Sequence, residues 1–76
     1  MKKYFFIRQS GATVRLKFEE VMYIEAVKNY CKIYTETKHY LVLSTMKQLQ
    51  DFFPEDEFIR IHKSYIVSAN RRGYFN

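Results

Sequence analysis

The chain has 76 residues, 13 Lys+Arg against 8 Asp+Glu for a formal charge of +5, 47% hydrophobic and 18% aromatic side chains, and one cysteine. That length allows one domain with a small core, burying roughly 60–65% of the surface the unfolded chain exposes. The composition excludes an intrachain disulfide, a disordered or loop-dominated chain (two Gly, one Pro) and a membrane-spanning helix, which needs an apolar run of ~18 residues.

In chain order, Lys2-Lys3 before Tyr4-Phe5-Phe6-Ile7 has the charge order of a secretory signal, but an apolar stretch of four residues before Arg8 is too short for one. The expectation is a cytoplasmic protein, consistent with the unpaired cysteine. Alternation then dominates. Residues 4–8 and 13–17 read as strands joined at Gln9-Ser10-Gly11, where glycine can take positive φ. Glu19-Glu20 precede a strand over residues 21–26, and Lys28-Asn29 breaks it, with Asn29 suited to left-handed backbone. Residues 30–36 alternate, Cys31, Ile33 and Thr35 on one face and Tyr30, Lys32, Tyr34 and Glu36 on the other. Thr37-Lys38 turns the chain into His39-Tyr40-Leu41-Val42-Leu43.

One segment changes period. Met46, Leu49, Phe52 and Phe53 recur at helical spacing, predicting a helix at about residues 45–53. Ser44 is the expected N-cap, with Lys47 in place of the capping-box acid, and Pro54 ends the helix by disfavouring α backbone at Phe53. After the acidic Glu55-Asp56-Glu57, strands are expected at residues 58–61, 65–67 and 74–75. The predicted fold class is mainly β: antiparallel sheets with one short α-helix.

Nothing in this pattern assembles a catalytic or metal site. Cys31 with His39 or His62 is the only thiol–imidazole pairing available, and Cys31 falls on an apolar strand face where cysteine packs inertly. The Cys and His spacing is not that of a zinc site. Glu19, Glu20 and Glu25 read as exposed strand-end carboxylates, and two glycines cannot build a phosphate-cradling loop. No enzyme activity, cofactor or metal is expected.

Charge supplies the functional signal. From Phe58 onward there are four bases (Arg60, Lys63, Arg71, Arg72) and no acid, whereas the preceding 57 residues hold nine bases and eight acids. Such asymmetry points to a polyanion. Two arrangements could meet it. Tyr30, Tyr34 and Tyr40 with Lys28, Lys32 and Lys38 could stack single-stranded bases, although alternating Tyr and Lys also describes an ordinary half-exposed sheet face. In Phe58-Ile59-Arg60-Ile61, Arg60 either pairs within the protein, for instance with an acid of residues 55–57, or reaches phosphate. His62-Lys63-Ser64 forms a polar loop between strands that can clamp a backbone or enter a groove. Phe58, Ile59, Ile61, Tyr65 and Val67 are expected to anchor these strands.

The blocks Tyr23-Ile24-Glu25-Ala26 with Asn29-Tyr30, and Phe58-x-Arg60-x-His62-Lys63-Ser64-Tyr65-x-Val67, resemble the LytTR family of bacterial DNA-binding domains, and the resemblance runs from about Val14 onward. The resemblance implies a mostly β domain of a transcription regulator, typically following a receiver or sensor domain in a two-component system. It implies binding to double-stranded DNA at promoter direct repeats through loops, and the expected mechanism is loop insertion into successive major grooves. One such loop falls on Lys28, Asn29 and Tyr30. A second falls on Lys63 and Ser64, supported or flanked by Arg60 and His62. Ser68 stands where the family has Asn. Family domains also continue with further strands and a third contacting loop, which implies a chain truncated at its C-terminus, its final strands missing. Its open edges would then favour a homodimer, for instance by strand exchange. The alternatives are a single-strand or RNA-binding β-module and a truncated protein-interaction or regulatory remnant.

Overall fold

A computed structural model describes residues 3–69. The expected strand at residues 74–75, and Arg71 and Arg72, lie outside the described residues. Within them the alternating segments form seven strands: β1 (Tyr4–Gln9), β2 (Ala12–Lys17), β3 (Tyr23–Val27), β4 (Tyr30–Tyr34), β5 (His39–Val42), β6 (Phe58–His62) and β7 (Tyr65–Ser68). A helix, α1 (Met46–Phe52), lies between β5 and β6. β1 and β2 make a two-stranded hairpin; the other five form an antiparallel sheet in the order β5-β4-β3-β7-β6.

The period of two becomes two unlike sheet faces. Ile24, Cys31, Ile33, Tyr40, Phe58 and Ile66 point to one side and join Phe5, Ile7 and Leu16 of the hairpin and Met46 and Leu49 of α1 in one core. Ile24 and Ile33 are fully buried, each burial contributing about 1.5–3 kcal/mol. Phe5, Phe18, Phe53 and Phe58 interlock beneath the hairpin, with centroids 4.8 Å apart for Phe5–Phe18 and 4.9 Å for Phe53–Phe58. The opposite face carries Tyr23, Glu25, Lys32, Tyr34, Leu41, Ile59 and Tyr65.

Local chemistry accounts for the connections. Ser10 (φ 52°) and Gly11 (φ 80°) both take positive φ, as a tight type I′ hairpin requires. A single 3-10 turn, Phe18–Glu20, buries Phe18 and leads into β3. At residues 28–29 it is Lys28, not Asn29, that takes the left-handed conformation (φ 55°). The helix cap is also displaced from the expected Ser44. Thr45 is the N-cap, its Oγ1 accepting from Gln48 N–H at 3.1 Å while Gln48 Oε1 accepts from Thr45 N–H at 3.0 Å. This reciprocal capping box satisfies two backbone donors that the helix leaves free. α1 ends before Pro54, where Phe53 has gone extended at ψ 144°.

Two further expectations change. Ile59 and Ile61 do not anchor the sheet: they are 52% and 59% exposed, while Phe58, Ile66 and Val67 are buried. The cause is parity together with a β-bulge. Arg60 pairs with Ile66 but His62 with Tyr65, leaving Ile61 as an extra residue on β6. Tyr40 is buried, so Tyr30, Tyr34 and Tyr40 do not form one stacking surface.

Candidate nucleic-acid interface

Strand direction brings the two polar turns together. β3 and β7 are antiparallel neighbours with Glu25 opposite Tyr65. The β3–β4 turn (Lys28-Asn29) and the β6–β7 turn (Lys63-Ser64) therefore leave the same end of the sheet. A backbone bond from Ala26 N–H to Ser64 O at 2.8 Å ties them. Lys28, Asn29, His62 and Lys63 are exposed, and Tyr30, which opens β4, is 46% exposed. Ser64 is half-buried between them.

The second turn is held from three directions. Ser64 N–H donates to His62 Nδ1 at 3.1 Å, which needs a neutral imidazole with its proton on Nε2. Ser64 O receives the bond from Ala26. Arg60 supplies the third hold, pairing within the protein as one reading of the sequence has it, but with carbonyls and an amide and with no acid of residues 55–57. Its Nε donates to His62 O at 3.3 Å, Nη2 to Lys63 O at 2.7 Å and Nη1 to Gln50 Oε1 of α1 at 2.9 Å. The guanidinium thus joins the turn's carbonyls to the helix. Gln50 had no local signal in the sequence, because its role arises only where α1 passes β6.

On the open sheet face, Glu25 accepts from Tyr34 OH through Oε1 and from Tyr65 OH through Oε2, each at 3.0 Å. Tyr34 stacks on Tyr23 at 4.3 Å, and His62 packs against Tyr65 at 5.9 Å. Burial, and then the Glu25 hydrogen bond and charge, push the Tyr34 phenol up to about 12. Tyr65 is also raised, chiefly by its bond to Glu25.

Cys31 is buried, donates to Ser44 O at 3.3 Å and lies 3.9 Å from Met46 Sδ. Burial pushes its thiol up, against a smaller opposing effect of Arg60. His39 packs on Tyr34 across the sheet and His62 serves its turn, so neither is placed to activate the thiol. Among the described residues no group of three or more His, Cys, Asp or Glu could hold a metal. No helix there is long and apolar enough to cross a membrane.

Comparison with known proteins places the fold in a family. The family model described as the LytTr DNA-binding domain matches residues 11–71. No curated relative matches the chain. Among solved structures, the LytTr DNA-binding domain of a protein described as a methyl-accepting/DNA response regulator from Bacillus cereus is similar. Its TM-score is 0.78 at 26% identity, over 92% of this chain and 64% of that one. The chain therefore spans less than two thirds of that structure's length.

Proposed function

From a chain that belongs to the LytTr DNA-binding domain family, we propose sequence-specific binding of double-stranded DNA in bacterial transcription regulation, in the cytoplasm, by the two turns at one end of the sheet. The observation that carries the reading is the convergence of Lys28-Asn29-Tyr30 and His62-Lys63-Ser64 at that end, joined by the Ala26–Ser64 backbone bond.

Scale supports one groove rather than several. The hairpins β3–β4 and β6–β7 are adjacent, so their turns are centred about two strand spacings, roughly 10 Å, apart. The major groove is about 12 Å wide, whereas successive major grooves on one side of the duplex are ~34 Å apart. Both turns thus suit a single groove and its walls. Lys63, at the tip of the braced turn, offers donors to guanine O6/N7, and Lys28 with Ser64 suits phosphate. Two finer proposals follow as alternatives: targets arranged as promoter direct repeats, or self-association along the β6 edge, which no described strand covers. The single-strand reading loses support with Tyr40 in the core.

Selection from a random duplex pool followed by titration tests this. Binding should be salt-sensitive, log K falling by about 0.9 per phosphate contact for each log unit of salt. Lys63→Ala should cost about 1–3 kcal/mol and relax preference at one base pair. Uniform weakening across sequences would reassign Lys63 to phosphate, and preference for single strands over duplex would end the proposal.

A further inference from the structure

Glu25 is out of place on electrostatic grounds. Six of the eight acids (Glu19, Glu20, Glu36, Glu55, Asp56, Glu57) lie at or beyond the strand ends opposite the two turns, and Asp51 is paired with Lys47 at 3.4 Å. Glu25 alone stands between the turns, on β3 three residues before Lys28. A carboxylate there repels a polyanion, and a plain charged surface would omit it.

Its contacts supply the reason. One oxygen takes the Tyr34 hydroxyl of β4 and the other takes the Tyr65 hydroxyl of β7, each at 3.0 Å. β4 is one arm of the first turn. Tyr65 is the residue directly after Ser64, and its ring packs on His62, whose Nδ1 holds the Ser64 amide. The carboxylate is thus bonded to side chains of both hairpins. Backbone pairing between β3 and β7 covers Tyr23, Ile24 and Glu25 and ends on the single Ala26–Ser64 bond, so past that one bond the ladder does not fix how the turns splay. An ionised carboxylate suits this work because it accepts two donors at once and its charge strengthens both bonds.

We infer that Glu25 is a positioning residue for DNA reading, its carboxylate bridging Tyr34 and Tyr65 so that the two turns keep the separation one groove demands. The inference rests on the duplex-binding reading above, and its test separates the two. Glu25→Ala, Glu25→Gln and Tyr65→Phe are compared with wild type, folding being checked by circular dichroism. The last variant removes one hydroxyl and keeps the ring. Amide hydrogen exchange at Lys63 and Ser64, measured without DNA, should speed up in Glu25→Ala and Tyr65→Phe. Alkaline spectral titration should find phenol ionisation moved to lower pH in Glu25→Gln. Affinity for the duplexes enriched by the wild type should fall roughly fivefold or more in Glu25→Ala and Tyr65→Phe, with partial rescue in Glu25→Gln, about what the loss of one hydrogen bond gives. The sign is decisive: if Glu25 acts only as a charge, Glu25→Ala binds DNA more tightly, and the inference is overturned. Unchanged exchange at residues 63 and 64 overturns it as well. A wild type that binds no duplex removes the functional reading, while the exchange and titration results still decide the bridge.

Discussion

Arg60 illustrates how a cation can brace a turn through backbone carbonyls. Three of its five N–H donors are committed to His62 O, Lys63 O and Gln50, a fork that one ammonium cannot reproduce. Replacing it with Gln or Lys should therefore release the turn in both cases and weaken duplex binding, with the slope of log K against log salt unchanged. A direct phosphate contact would instead reduce that slope by about 0.9 and be largely kept by Lys. Because the guanidinium is exposed, thermal stability should move by less than about 1 kcal/mol. From the sequence, Arg60 was legible as a cation among apolar residues and, through the family resemblance, as a support or flank of the second loop, while its partners were not. Backbone carbonyls carry no residue-type signal, and Gln50 lies ten positions upstream in an element of a different period.

At the scale of elements, most of the fold was legible because its strands are half-buried and alternate. The Ser10-Gly11 turn and the Pro54 stop were legible for the same kind of local reason. The cap was readable too: Thr45-x-x-Gln48 is the signature of a capping box, and only Ser44 drew attention from it. The bulge at Ile61 was not, since it depends on the register of β6 against β7. That bulge governs the proposed self-association. It interrupts β6 after Arg60 and leaves a short pairing edge, with Ile59 exposed beside it. Sedimentation should give a mass that rises with concentration for the wild type and stays monomeric for Ile59→Lys, which sets like charges across the edge. A two-fold pair of this kind matches inverted half-sites, not direct repeats. A monomer at every concentration would end edge pairing and leave direct repeats as the consistent arrangement.

Along the β6–β7 hairpin of the described molecule, charge is sorted between the two ends. Lys28 and Lys63 project from one end with Arg60 behind them, and Glu55-Asp56-Glu57 enters β6 at the other. β6 separates these poles by five residues, so at about 3.3 Å per residue they lie more than roughly 13 Å apart. That exceeds the screening length of ~8 Å at physiological ionic strength and is well inside the ~30 Å at 0.01 M salt. The acidic pole should therefore orient the domain toward DNA during encounter in dilute salt, and have little effect on the bound complex. Neutralising it (Glu55→Gln, Asp56→Asn, Glu57→Gln) should speed association with duplex several-fold near 0.01 M salt and leave it unchanged near 0.15 M, as measured by stopped flow. Lys28→Gln with Lys63→Gln should slow association under both conditions, as the proposed contact of those charges with DNA requires. An equal gain at both salt concentrations would mean that the acidic segment itself approaches DNA, and that the binding end has been assigned to the wrong side of the sheet.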